Sequence, residues 1–159
     1  ESFAAYYKKE KSHLLLDILK EEMAYKNRII EENEHFVVFI PYFARFVYET
    51  YIVPKRQVPV ITDLSEQEMH SLSRIFMNTL QRFDRLYNIS FPNITMHQNA
   101  PCDGNPDSGL FHYHIEFYPP MRAPDKLKYL AGFESGGGNI INPVKPEEAA
   151  RAMREALGS

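Results

Sequence analysis

Apolar residues recur along this chain with two periods, and the changes between them mark out its elements. After Ser12, residues Leu15, Leu19 and Met23 fall at i, i+4 and i+8, which predicts a helix over 13–26 with Ser12 as its N-cap. Two short β-branched runs follow in "NRIIEENEHFVVFIPY", and the polar "ENEH" between them is a hairpin signal. "FVYETYIVPKR" reads as a further strand ending at Pro54. In "TDLSEQEMHSLSRIFMNTLQRFDRLYN" a Ser65-to-Glu68 capping box opens a long helix with Met69, Leu72, Phe76, Leu80, Phe83 and Tyr87 along one face. "FPNITMH" and "LFHYHIEFY" predict two more strands, joined by the turn-rich loop "QNAPCDGNPDSG". "YLAGFESGGGNIINPV" predicts strand, glycine turn and strand. Pro146, followed by Glu147 and Glu148, then opens a short amphipathic helix. The sum is an α+β fold: a mostly antiparallel sheet, one long crossing helix and flanking helices, in a single domain over 1–159.

Composition narrows the function classes. The chain has 159 residues, 44% hydrophobic and 25% charged, enough to bury a core. Its formal charge of -3, with Lys and Arg scattered among acids, gives no footprint for nucleic acid. Cys102 is the one cysteine, so neither an internal disulfide nor a thiolate-rich zinc site is available, which fits a cytoplasmic location. The longest apolar run is broken by Pro41 and Arg45, so no membrane partner is expected. Glu1 stands where an initiator methionine would, which leads us to expect a fragment, although N-terminal processing gives the same start.

The candidate chemistry lies in "FHYHIEFYPP", residues 111–120. Strand alternation puts His112, His114 and Glu116 on one face and Phe111, Tyr113, Ile115 and Phe117 on the other, which is expected to be the core side. Same-face neighbours stand roughly 6 to 7 Å apart along a strand, a spacing that lets adjacent pairs share a metal ion or a phosphate. The alternative is a polar face turned to water. If the two strands pair, His97 at the end of "ITMH" reaches the same face. His97, His112, His114 and Glu116 would then form a nitrogen and oxygen set suited to a divalent metal, zinc or iron. A second use needs no metal: His114, the middle of the triplet, can act as a nucleophile toward an α-phosphate if its other ring nitrogen is held. His13, His35 and His70 read as surface residues, and Lys55 with Arg56 as solvated charges.

In order, "ENEHFVVFIPY", "YETYIVPKR", "ITDLS", "SFPNITMHQNAP", "FYPP" and "KYLAGFE" resemble the C-terminal half of the galactose-1-phosphate uridylyltransferase family, within the histidine triad superfamily. The resemblance implies a histidine-triad-like fold. It also implies an enzyme that moves UMP between UDP-glucose and galactose 1-phosphate in two steps, through a uridylylated histidine. The family's His-Pro-His nucleophile belongs to an N-terminal half, and no His-Pro-His occurs here. This chain is therefore expected to be inactive alone. The resemblance further implies a second metal site, and aligned on "FYPP" the family's His-x-His falls on His114 and Glu116, a carboxylate replacing the second histidine. His97 precedes Ala100-Pro101 as the upstream family histidine precedes its Ala-Pro, one residue farther away. The hexose-gripping positions, which in the family reach into the neighbouring subunit of a homodimer, fall on Lys128, Tyr129, Ala131, Phe133 and Glu134. UDP-hexose and hexose 1-phosphate are thus the implied ligands. Two other functions stay open: a free-standing histidine triad nucleotide hydrolase or phosphorylase using His114, and a non-catalytic metal-binding or dimerisation module.

Overall fold

The computed structural model describes residues 2–158. Helix α1 (Ser2–Glu10) comes first, in a stretch whose weak pattern predicts no element, and it buries none of its residues. Lys11, in a left-handed conformation, separates it from α2 (Leu14–Tyr25). Ser12 does not cap α2; its hydroxyl donates to the Asp17 carboxylate at 2.9 Å, and His13 holds the N-cap position. The hairpin β1 (Ile29–Glu32) and β2 (Phe36–Phe39) forms as expected, with the Asn33 side chain accepting from the amides of His35 and Phe36 in its turn. Strand β3 (Thr50–Pro54) is shorter than the apolar run suggests, because residues 41–49 form a turn-rich loop held by buried Glu49, whose carboxylate accepts from the amides of Arg45 and Phe46.

The long helix α3 (Glu66–Tyr87) starts on the predicted capping box and stops at left-handed Asn88. Strands β4 (Ile94–Gln98) and β5 (His114–Tyr118) follow, with a 3-10 turn over Pro106–Leu110 between them. After the two prolines the chain forms a small ribbon, β6 (Met121–Ala123) with β7 (Lys126–Leu127), then α4 (Gly132–Gly137), and finally α5 (Pro146–Glu155). The tail therefore differs from the predicted strand, turn and strand: Glu134 accepts from the Ala131 amide at the start of α4 and nucleates a helical turn across the glycines.

The main sheet is antiparallel with order β1-β2-β3-β5-β4. One face packs on α3 and α5: Phe36, Val38, Ile52, Ile115 and Phe117 meet Leu72, Ile75, Phe83, Ala150 and Met153 in the main core. On the other face Val37, Phe39, Tyr51 and Val53 meet Leu15 and Leu19 of α2. Met69, expected in the core, is exposed, while Ile75 is fully buried, so the packed face of α3 lies slightly around the helix from the predicted stripe. Helix α2 covers the β2 and β3 part of its face only, and Ile94 and Met96 of β4 remain 63% and 46% exposed on that side.

Candidate functional site

The predicted alternation of 112–117 holds in β5 but breaks before it. Tyr113, Ile115 and Phe117 point into the main core, whereas Phe111 lies on the other side, its ring 5.9 Å from that of His114 and 4.7 Å from that of Phe3. The chain is not yet extended in a ladder at Phe111, which is why the two-residue period fails there. Nor is the polar face wet: His112, His114 and Glu116 are all buried. Because β5 is an interior strand, Tyr51 of β3 flanks it on one side and Gln98 of β4 on the other, and the His114 ring is stacked between Tyr51 and Phe111.

His114 is fixed at both nitrogens. Nδ1 donates to the His112 carbonyl at 2.8 Å, and Nε2 lies 3.1 Å from Glu116 Oε1. The other carboxylate oxygen of Glu116 accepts from Gln98 at 2.9 Å and from the Tyr118 hydroxyl in a short bond, and the Tyr51 hydroxyl also bonds this carboxylate. Burial alone pushes the Glu116 carboxyl up, but the bonds from His114, Tyr118, Gln98 and Tyr51 outweigh it and hold it down at about 2. Burial and the same carboxylate push the Tyr118 hydroxyl up to about 12 and that of Tyr51 higher still. Arg45 lies 5.1 Å over the Tyr118 ring and reaches Glu49 at 3.4 Å, tying the loop before β3 to the end of β5.

The four predicted metal ligands are not brought together. In the β4–β5 register His97 is opposite Ile115, so its side chain lies on the α3 face, where its Nδ1 pairs with the Tyr113 hydroxyl at 2.8 Å. Fully buried His112 is engaged at both nitrogens, with the Gln57 side chain at 2.6 Å and the Pro54 carbonyl at 3.0 Å. Burial lowers its ring to about 4. Among the described residues no three His, Cys, Asp or Glu side chains converge as a metal site. The predicted set thus does not fit a resident zinc or iron ion; what persists is the pair His114 and Glu116, one nitrogen and one oxygen.

The predicted hexose-gripping residues lie at the opposite end of β5. Tyr129 and Phe133 are exposed, Ala131 precedes α4, and Lys128 and Glu134 form a 3.2 Å ion pair with both side chains buried. The amides of Ala131 and Ile141, ahead of Lys128, hold the Glu134 carboxyl at about 2. Arg56 is no free charge, since its guanidinium meets both oxygens of Glu68 at 2.5 and 2.8 Å. Sequence reasoning missed Tyr118, Tyr51 and Gln98. Tyr118 continues the parity of 112, 114 and 116, a readable signal, whereas Tyr51 and Gln98 arrive only through strand pairing.

Residues 1–158 match the family described as galactose-1-phosphate uridyl transferase, C-terminal domain. The galactose-1-phosphate uridylyltransferase of Thermotoga maritima is 37% identical over 150 residues, which cover 94% of this chain and 46% of that protein. A solved uridylyltransferase structure is similar with a TM-score of 0.88 at 29% identity, covering 98% of this chain and 48% of the other. A zinc-bound histidine triad family protein from Mycobacterium smegmatis shares the fold, with a TM-score of 0.54 at 20% identity over 81% of this chain and 82% of its own. The chain spans about half the length of the curated relatives it matches. No described helix is long and apolar enough to cross a membrane. With a family match along almost all its length and a five-stranded antiparallel sheet of histidine triad type, the chain belongs to the family of galactose-1-phosphate uridyl transferase C-terminal domains.

Proposed function

We propose that this chain is one domain of a cytoplasmic enzyme that transfers UMP between UDP-glucose and galactose 1-phosphate, with the nucleophilic histidine supplied from outside residues 1–159. The supporting observation is the state of His114: Nδ1 is spent on a backbone carbonyl and Nε2 on a carboxylate that three other donors also hold. A nucleophile needs a free lone pair aimed at phosphorus. Here the imidazole is a fixed part of the wall. The segment carrying Lys128, Tyr129, Ala131, Phe133 and Glu134 faces the hexose, and in a homodimer it serves the neighbouring subunit. A divalent ion, zinc or iron, bound here would have to displace the His114–Glu116 hydrogen bond to take these two groups as donors, and would need further ligands from beyond the predicted four.

The test is the intact mass of the chain after incubation with UDP-glucose. The expected result is an unmodified mass. A UMP adduct mapped to His114 would establish the free-standing nucleotide hydrolase or phosphorylase instead, and would sink the domain reading.

A further inference from the structure

Helices α1 and α2 and the loop over 41–49 border a cavity of about 400 Å³ that shares no residue with the His114 cluster. Three of its lining side chains are phenols. Tyr6 comes from α1, Tyr25 from the end of α2 and Tyr42 from the loop, and the rings of Tyr25 and Tyr42 are 65% and 66% exposed. The face of such a ring carries negative potential and attracts a cation.

The carboxylates around these rings are undercompensated. Asp17 is held by neutral groups, the Tyr6 hydroxyl donating to Oδ2 at 3.0 Å and the Ser12 hydroxyl to Oδ1 at 2.9 Å, and among the described residues it meets no cation. Buried Glu22 and Glu147 share a single guanidinium, that of Arg28, at 2.9 and 2.6 Å. Glu22 also accepts from the Tyr42 amide, which pins the loop to α2. Glu21 adds a further acid to the lining, and Lys20 is the lining cation that no carboxylate pairs among the described residues. Four acids, counting Glu147, thus surround two bases.

We infer that this cavity binds a small alkylammonium, whose cationic nitrogen lies against the tyrosine rings and whose charge Asp17 balances. The volume is at the low end for ligand pockets, which suits a small amine. Each Asp17 oxygen has one acceptor site in use and one remaining, so a protonated amine can also donate to it. An anion meets the surplus of carboxylates, and a neutral molecule of the same shape gains contact area alone.

The probes are choline and its neutral isostere 3,3-dimethyl-1-butanol, in which carbon replaces the nitrogen. Binding to this chain is followed through amide chemical shifts over α2 and 41–44 at fixed ionic strength. Choline should saturate at about millimolar concentration, with the alcohol about tenfold weaker or worse. Tyr42→Phe keeps the ring face and should bind choline as wild type does, whereas Tyr42→Ala should weaken it about threefold. Asp17→Asn keeps an acceptor for the two hydroxyls but loses the charge, and should also weaken choline about threefold. Lys20→Ala removes the competing cation and should tighten it. Because Tyr42 is exposed, its loss leaves the core intact, and the shifts themselves report the fold of each variant. Equal affinity for choline and the alcohol, no saturable shift with choline, or Tyr42→Phe as weak as Tyr42→Ala overturns the inference.

Discussion

Replacing Glu116 by alanine and by glutamine separates what its carboxylate does from what its volume does. The carboxylate is the common acceptor for His114 Nε2, Gln98, Tyr118 and Tyr51, on a residue only 8% exposed. Alanine leaves the buried donors of His114 and Tyr51 unsatisfied, where each costs about 1–3 kcal/mol, while half-buried Gln98 and Tyr118 can turn to water. Breaking a buried charged cluster from one side falls in the range of about 3–5 kcal/mol, and we expect the lower end, about 3 kcal/mol, for Glu116→Ala. Glutamine has a different outcome. Its oxygen can keep the bonds from Gln98 and Tyr118, while its amide nitrogen donates to His114 Nε2 when that ring carries one proton, on the Nδ1 bonded to the His112 carbonyl. Glu116→Gln should therefore cost about 1 kcal/mol or less. Urea unfolding followed by circular dichroism, with the midpoint shift multiplied by the slope, measures both. Equal losses in the two variants, or an alanine variant as stable as wild type, would refute the account of Glu116 as a shared acceptor.

Other consequences are directly measurable. Ser65→Ala removes the hydroxyl that accepts from the Glu68 amide at 3.3 Å and should lower stability by about 1 kcal/mol, seen as a lower thermal midpoint; an unchanged midpoint would mean that Glu68 caps α3 unaided. Phe117→Ala empties a site packed between the rings of Phe76 and Phe83 and should cost about 3–5 kcal/mol in the same urea assay. Glu68 and Glu116 are held at about 2 when folded, below the ordinary carboxylate value, so the stability they supply is complete above about pH 4.5 and is lost as pH falls toward 2. An acid titration with flat stability across that window would contradict both assignments.

The elements with strong periodicity were legible from residues alone. Ser65, Glu68 and the apolar stripe fix α3, and the β-branched runs around Asn33 fix the first hairpin. The stretch 129–144 was not, because three successive glycines look like a turn until the Glu134 carboxylate is seen to accept from the Ala131 amide, whereas α5 beyond it follows from Pro146, Glu147 and Glu148. Helix α1 was missed because its packing is lateral, through Phe3 on Phe111 and Tyr6 donating to Asp17 at 3.0 Å, and leaves no buried stripe to read. At the site, the shared face of His114 and Glu116 follows from parity. The exclusion of His97 follows from the register of β4 on β5, which a single strand's pattern does not encode, since one residue of slip exchanges its faces.

The sheet order also constrains how this chain assembles. Strands β1, β2 and β3 are neighbours in sequence, as are β4 and β5, so each group can zip up locally, and the sheet joins the two where Thr50 meets Phe117, Tyr51 meets Glu116 and Ile52 meets Ile115. That seam closes a loop containing the whole of α3, an entropic cost collected before any of its contacts reward it. The rate of folding should accordingly follow changes at the seam, and a chain caught before closure would display two incomplete ribbons, with the His114 cluster still lacking Tyr51 on its β3 side.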